Sequence, residues 1–258
     1  MARTGGGSID KALAVLEALA EHSRVTDIAA ATDLPKSTVH RILQSLVSWG
    51  FARVDVGGSY LPGPRILTLA GRVLGRFNPA QHAESALQAL RDRTGFAVHF
   101  AIRNGDEAVY VQKVEGRRPY QMASRVGMSL RLHSTSIGKV ILAQLPPDEV
   151  RGIAERAGLA QRTRRTITDV DALLRHLAEV QRLGYAVDDE EDEPGIRCLG
   201  APVFDHTASV TGGVSISGLA FEVGPENEAL VAAVISAAGD ISLALGAPPS
   251  APADQRAG

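Results

Sequence analysis

Between residues 35 and 62 the apolar side chains switch from a helical period to an alternating one, and few folds accommodate both in so short a span. Val39, Ile42, Leu43, Leu46 and Val47 recur three and four apart, so they form one face of a helix. Ser37, Thr38, Arg41, Gln44 and Ser48 gather on the opposite face, and Pro35 suits the first turn. Directly after Trp49 and Gly50 comes "FARVDVGGSYLPG", two short β-like runs joined at Gly57-Gly58, a dipeptide that permits the positive φ of a tight hairpin. Pro62 and Pro64 end it. Upstream, Ile9, Ala12, Leu13, Leu16 and Leu19 fall on one face of a first helix. A short second helix fits Thr26 to Ala31 and stops at "TDLP".

Three helices followed by a two-stranded hairpin make the winged helix-turn-helix arrangement, whose third helix enters the major groove of DNA. The free face suits that task. Arg41 can donate two hydrogen bonds to guanine and Gln44 can pair with adenine. Lys36, Ser37, Thr38 and His40 can hold phosphates or base edges, and the wing offers Arg53 to the backbone. Charge is distributed in the same sense: residues 1–77 carry nine Lys/Arg against six Asp/Glu, although the whole chain has a formal net charge of -2. Double-stranded DNA is therefore the expected partner. The turn holds Asp33 where glycine would be easiest, and Asp tolerates the left-handed conformation better than most residues. The glycine-rich start could bring Arg3 to a minor groove, the alternative being a disordered terminus without a role.

"PRILTLAGRVLGRF" continues as a helix that joins domains or subunits, so the organisation expected is a DNA-binding domain over 1–62, a linker helix over 63–78 and a second domain over 79–246. The tail, 247–258, reads as disordered. In the second domain, helices are expected at 80–93, 136–145, 147–157, 169–183 and 225–245. Strands are expected in "FAVHFAIRNG" and "EAVYVQKVEG", with a turn at Asn104-Gly105, and at 185–188, 196–204 and 210–217. Helices and strands mix without βαβ alternation, which argues for α+β with a mainly antiparallel sheet. No segment approaches the roughly 18 apolar residues of a membrane span, and the N-terminus has no apolar signal region, so no membrane is expected and the expected compartment is the cytoplasm. With one cysteine there is no internal disulfide, and no zinc-ligand spacing occurs.

Enzyme motifs fail on inspection. "HSTSIGKV" places Gly-Lys at a helix start, but a phosphate loop would need Gly at His133 and Ser or Thr at Val140. "GVSIS" lacks the last glycine of a nucleophile elbow. Cys198 with His133 could form a thiol dyad, yet an apolar neighbourhood favours an inert buried thiol. No catalytic residue, cofactor or metal is expected. The consecutive acids Asp188, Asp189, Glu190, Glu191, Asp192 and Glu193 fit four roles: a metal site, an acid/base pair, a solvated loop or a pocket wall.

"LPKSTVHRILQSLVSWGF", "LHSTSIGKVILAQLP", "TRRTIT", "GYAVDDEEDEPGIRCLGAPVFD" and "VSISG", in this order, resemble the IclR family of bacterial transcription regulators over roughly residues 8–246. The resemblance implies a GAF-like α/β effector domain after the linker helix, assembly into homodimers or homotetramers on operator DNA, and an effector that is a small carboxylic or aromatic acid. Carried over by position, the effector residues are Leu130, Ser136, Ile137, Asp188, Cys198, Ser215 and Ser217. The chemistry agrees, because Ser215 and Ser217 share one face of a strand and the helix start at Ser136-Ile137 has free N–H groups. Ser136 and Ile137 stand where smaller residues are common in the family, so extra bulk would narrow or reshape the pocket. Of the six acids, Asp188 alone is expected to work inside, with the other five mostly solvated.

Overall fold

The computed structural model describes residues 7–74, 78–119 and 122–248. Arg3, the linker residues 75–77 and the tail from 249 lie outside the described residues. The chain divides into two compact units, 1–77 and 78–258.

In the first unit α1 (Ser8–Ala18), α2 (Val25–Thr32) and α3 (Lys36–Ser48) enclose Val15, Leu19, Ile28, Val39 and Leu43. The stripe on α1 differs from the expected one. Ile9 and Leu13 are 73% and 54% exposed, whereas Val15 is fully buried and Ala12 and Leu19 pack beside it. Residues 12, 15 and 19 are also three and four apart, so an alanine- and leucine-rich helix carries two overlapping stripes, and the packing partner selects between them. Asp33 closes α2 in the left-handed region at φ 52°. Pro35 is the residue before α3 rather than part of its first turn.

The wing is the antiparallel pair β1 (Ala52–Val54) and β2 (Tyr60–Pro62). Its connection is longer than a two-residue glycine turn. Asp55 Oδ1 accepts the N–H of Gly57 at 2.9 Å and of Ser59 at 2.8 Å, and only Gly58 of the pair has positive φ. An Asx-type loop of five residues thus reverses the chain in place of a tight turn at Gly57-Gly58. Past the wing, a Cβ at Gly63 would stand 2.2 Å from the Gly50 carbonyl, so glycine lets the chain fold back on the end of α3. Then α4 (Pro64–Leu74) begins, with Leu67 and Leu69 exposed.

The second unit comprises α5 (Pro79–Thr94), β3 (Ala97–Asn104), β4 (Glu107–Val114), β5 (Ser129–Arg131), α6 (Ser136–Leu142), α7 (Pro147–Ala157), α8 (Val170–Leu183), β6 (Ala186–Asp189), β7 (Ile196–Phe204), β8 (Val210–Leu219) and α9 (Glu228–Ala244). Six strands form one antiparallel sheet in the order β5-β4-β3-β8-β7-β6. Strand β5 is additional to the expected elements, and α6 is seven residues rather than ten. The hairpin between β3 and β4 turns at Gly105-Asp106, one position later than Asn104-Gly105, since Asn104 still pairs with Glu107.

Side chains alternate across the sheet. Val98, Phe100, Leu199, Val214 and Ile216 point to the face that α5 and α9 cover. The other face receives α6, with α7 and α8 outside it. Helix α6 comes close because the sheet is glycine there: a Cβ at Gly213 would meet Val140 and Ile137 at 3.0 and 3.2 Å, and one at Gly200 would meet Ser136 Oγ at 3.0 Å.

Candidate functional site

On the first unit, the free face of α3 presents Lys36, Ser37, His40, Arg41 and Gln44 as exposed residues, with Thr38 partly exposed and Arg53 exposed on the wing. Lys36, Arg41 and Arg53 have no side-chain hydrogen bond or ion pair among the described residues, which leaves three cations free beside one helix face. Gln44 is different. Its Nε2 donates to the Tyr60 hydroxyl at 2.7 Å, and His40 meets the same ring edge-on at 6.4 Å. Gln44 therefore ties α3 to the wing as well as facing outward, which its place in the polar stripe does not reveal.

In the second unit the register assembles the expected ligand residues. Asp188 lies opposite Cys198, and Cys198 opposite Ser217; one step along, Gly200 lies opposite Ser215, and Ser215 opposite His99. Directly paired residues share a face, so Asp188, Cys198, Ser215, Ser217 and His99 all stand on the α6 side. Ser136 and Ile137 face them from α6, where their side chains pack against Gly200 and Gly213. The expected bulk of Ile137 thus fills a glycine-shaped hollow in the sheet. Leu130 has a second neighbourhood as well. It lies on the edge strand β5, in the same buried cluster as Ile137, and also borders a cavity of about 480 Å³ lined by Arg131, His133, Val150, Arg156 and Leu173. His133 spends its Nε2 on the Ala160 carbonyl there, at 3.1 Å, and does not meet Cys198 in a dyad.

Burial governs the chemistry of the shared face. Asp188 is 3% exposed, and although its Oδ1 accepts the N–H of Glu191 at 2.8 Å and of Asp192 at 3.3 Å, desolvation dominates and pushes its carboxyl up to about 7. The Cys198 thiol is likewise pushed well above its usual value by burial, then by the Asp188 charge. His99 is buried and held down near 3, by desolvation first and by Lys113 second, so it is a neutral ring. Its Nε2 meets Ser124 Oγ at 2.7 Å and its Nδ1 meets Ser217 Oγ at 3.3 Å. Cys198 and Tyr110 remain partly accessible to solvent, so packing does not seal this face.

The acidic run departs from expectation. Glu191 is buried as well as Asp188, and it accepts from Lys139, an ammonium enclosed within α6 that also donates to the Val187 carbonyl. Asp192 accepts from Ser134 Oγ at 2.7 Å; Asp189 pairs with Arg165 and Arg197; Glu190 pairs with Arg165. Among the six, only Glu193 is exposed. The described residues contain no group of three or more His, Cys, Asp or Glu placed to hold a metal ion, and no helix long and apolar enough to cross a membrane. His99, Tyr110, Lys139 and Glu191 join the site from outside the expected set. A lone histidine in the apolar run "FAVHFAI" is the one signal the sequence holds for the first.

A winged helix-turn-helix followed by an antiparallel α/β domain with a polar patch between sheet and helix defines a ligand-responsive class of DNA-binding regulator. The chain belongs to the IclR family: the IclR helix-turn-helix domain matches residues 8–56, and the bacterial transcriptional regulator IclR C-terminal domain matches residues 71–243. It is 34% identical over 220 residues to the HTH-type transcriptional regulator XynR of Escherichia coli, covering 84% of this chain and 87% of that one. The crystal structure of the Thermotoga maritima IclR superposes with a TM-score of 0.64 at 35% identity, covering 94% of this chain and all of the other. An IclR transcriptional regulator from a Silicibacter species shares the fold at a TM-score of 0.85 and 24% identity, over 95% and 98% of the two chains. These relatives are transcriptional regulators, and the chain is a regulator rather than an enzyme.

Proposed function

We propose that the second unit binds a small organic acid between the sheet and α6, and that binding changes the affinity of the first unit for its operator. The carrying observation is the register that sets Asp188, Cys198, Ser215 and Ser217 side by side beneath α6. Ser215 and Ser217 supply hydroxyl donors for a carboxylate. Asp188, half protonated near neutral pH, supplies a donor or acceptor for a ligand hydroxyl and avoids repelling the anion. Ser136 and Ile137 close the space from above. Leu130, on β5 in the same buried cluster as Ile137 and Tyr110, adds apolar wall to this reading.

Arg41, Lys36, Ser37, Thr38 and His40 read or hold the operator, Arg53 steadies the wing on the backbone, and Gln44 contributes through its remaining carbonyl oxygen. One recognition helix covers one half-site, so a homodimer or homotetramer is required, and the apolar side chains left uncovered on the first unit (Ile9, Leu13, Leu67, Leu69) support self-association. Operator binding makes the cytoplasm its working compartment. The test is to sequence genomic fragments retained by the purified protein, then to titrate lactate, mandelate and benzoate against the retained site. A change in retention with at least one acid is expected. Retention of DNA that is indifferent to salt and sequence would overturn the operator reading.

A further inference from the structure

We propose that Tyr110 is a further ligand-contact residue of the site under α6, its hydroxyl donating to the carboxylate of the bound acid and so setting the preference for acids over their neutral analogues. This inference rests on the reading that the site binds an organic acid.

The geometry begins with an irregularity in the sheet. Phe100 pairs with Gln112 but Ala101 pairs with Tyr110, so Val111 is an extra residue in β4. Such a bulge reverses the alternation of the strand on one side of it. Tyr110 stands before the extra residue: the pairs from Asn104–Glu107 to Ala101–Tyr110 are regular, so Tyr110 shares a face with Ala101 and Ala108, both in the core on the α6 side. On that side its ring lies 5.2 Å from the His99 ring.

What the ring reaches is the polar cluster. Cys198, Asp192 and Asp188 are the charged or ionisable groups near its hydroxyl, and burial with those neighbours pushes the phenol well above its usual range, so it stays a neutral donor. Its neighbours are otherwise engaged: His99 uses both ring nitrogens, on Ser124 and Ser217, Asp192 accepts from Ser134, and Asp188 accepts two backbone N–H groups. The Tyr110 hydroxyl has no hydrogen-bond partner among the described residues, while the residue remains partly accessible. A neutral donor without a partner, on an incompletely sealed polar face, fits an anionic acceptor better than any of the carboxylates around it. Ser215 and Ser217 on β8 and Tyr110 on β4 then approach a carboxylate across the intervening strand β3.

The experiment uses the full chain with lactate, mandelate and benzoate, each beside its amide, measured by calorimetry for wild type, Tyr110→Phe and Ser215→Ala/Ser217→Ala. Phenylalanine keeps the ring against His99, so melting temperature and operator affinity without acid should be unchanged. Tyr110→Phe should weaken the best-binding acid tenfold or more and its amide by less than threefold. Wild-type affinity in Tyr110→Phe, with loss in the serine double variant, overturns the role of Tyr110 and leaves the site standing. Wild-type affinity in both variants, or no acid binding to wild type, overturns the site itself and this inference with it. Equal weakening of acid and amide overturns the carboxylate preference.

Discussion

Lys139 and Glu191, 52 positions apart, form a buried ion pair that fastens α6 to the turn after β6. The Lys139 side chain is fully buried, and Glu191 keeps one carboxylate oxygen without a partner among the described residues. The same ammonium donates to the Val187 carbonyl, beside Asp188. The pair therefore holds the strand end that carries the ligand-facing acid.

Removing one member leaves an uncompensated buried charge. Lys139→Met or Glu191→Gln should each destabilise the second unit by about 3–5 kcal/mol, whereas Lys139→Met with Glu191→Met should cost much less than the two singles together. Urea unfolding of the full chain, following the transition of the second unit, measures this. Additive losses would show that the two residues act separately.

Asp188 makes stability depend on pH with a definite sign. Its folded value near 7 exceeds the unfolded value of 3.8, so the folded state binds more protons and stability falls as pH rises through that window. His99, held near 3, and His176, held near 4 by burial and then Lys139, act oppositely, stabilising the fold as pH rises towards 6.5. The difference between wild type and Asp188→Asn isolates the first effect. The variant should gain on wild type by at most roughly 4 kcal/mol between about pH 4 and pH 7, since each pH unit separating the folded and unfolded values is worth about 1.4 kcal/mol. Thermal denaturation across that range checks it, and a flat difference refutes it.

The acids of the run should separate in ligand binding. Asp188→Asn should change organic-acid affinity or its pH dependence by tenfold or more, about 1.4 kcal/mol. Glu193→Gln, at the exposed position, should change neither. Calorimetry with the best acid of the panel decides, and equal effects from both substitutions would count against an inward role for Asp188.

Arg41→Ala should weaken operator binding by about 1–3 kcal/mol and relax preference at one base pair, while Lys36→Ala should weaken all sequences alike and lower the salt slope by about one. Changing the distance between operator half-sites by half a helical turn should abolish tight binding. Filter retention over a salt series, on wild-type and respaced operators, tests all three.

Where a pattern is local and strong it reads directly: α7 spans 147–157 and β7 spans 196–204, as expected from flanking prolines and an apolar run. Three-residue β5 has too few residues to show a period. The acidic run is legible only up to Asp189, because Glu190 adopts φ 60° and breaks the alternation that would assign an inside and an outside. That reversal sends Glu191 inward to Lys139. Lys139 itself looks in sequence like part of a failed phosphate loop, since its partner is remote along the chain. Tyr110 is hidden for a different reason: parity along β4 places it on the face of Ala108, but the polar groups that give that face its chemistry come from other strands.

The bulge at Val111 also makes the face of a β4 side chain a matter of counting. Deleting Val111 would restore regular pairing with Tyr110 still opposite Ala101 and Gln112 still opposite Phe100, so the extra residue is what lets residues 110 and 112, of equal parity, face opposite sides of the sheet.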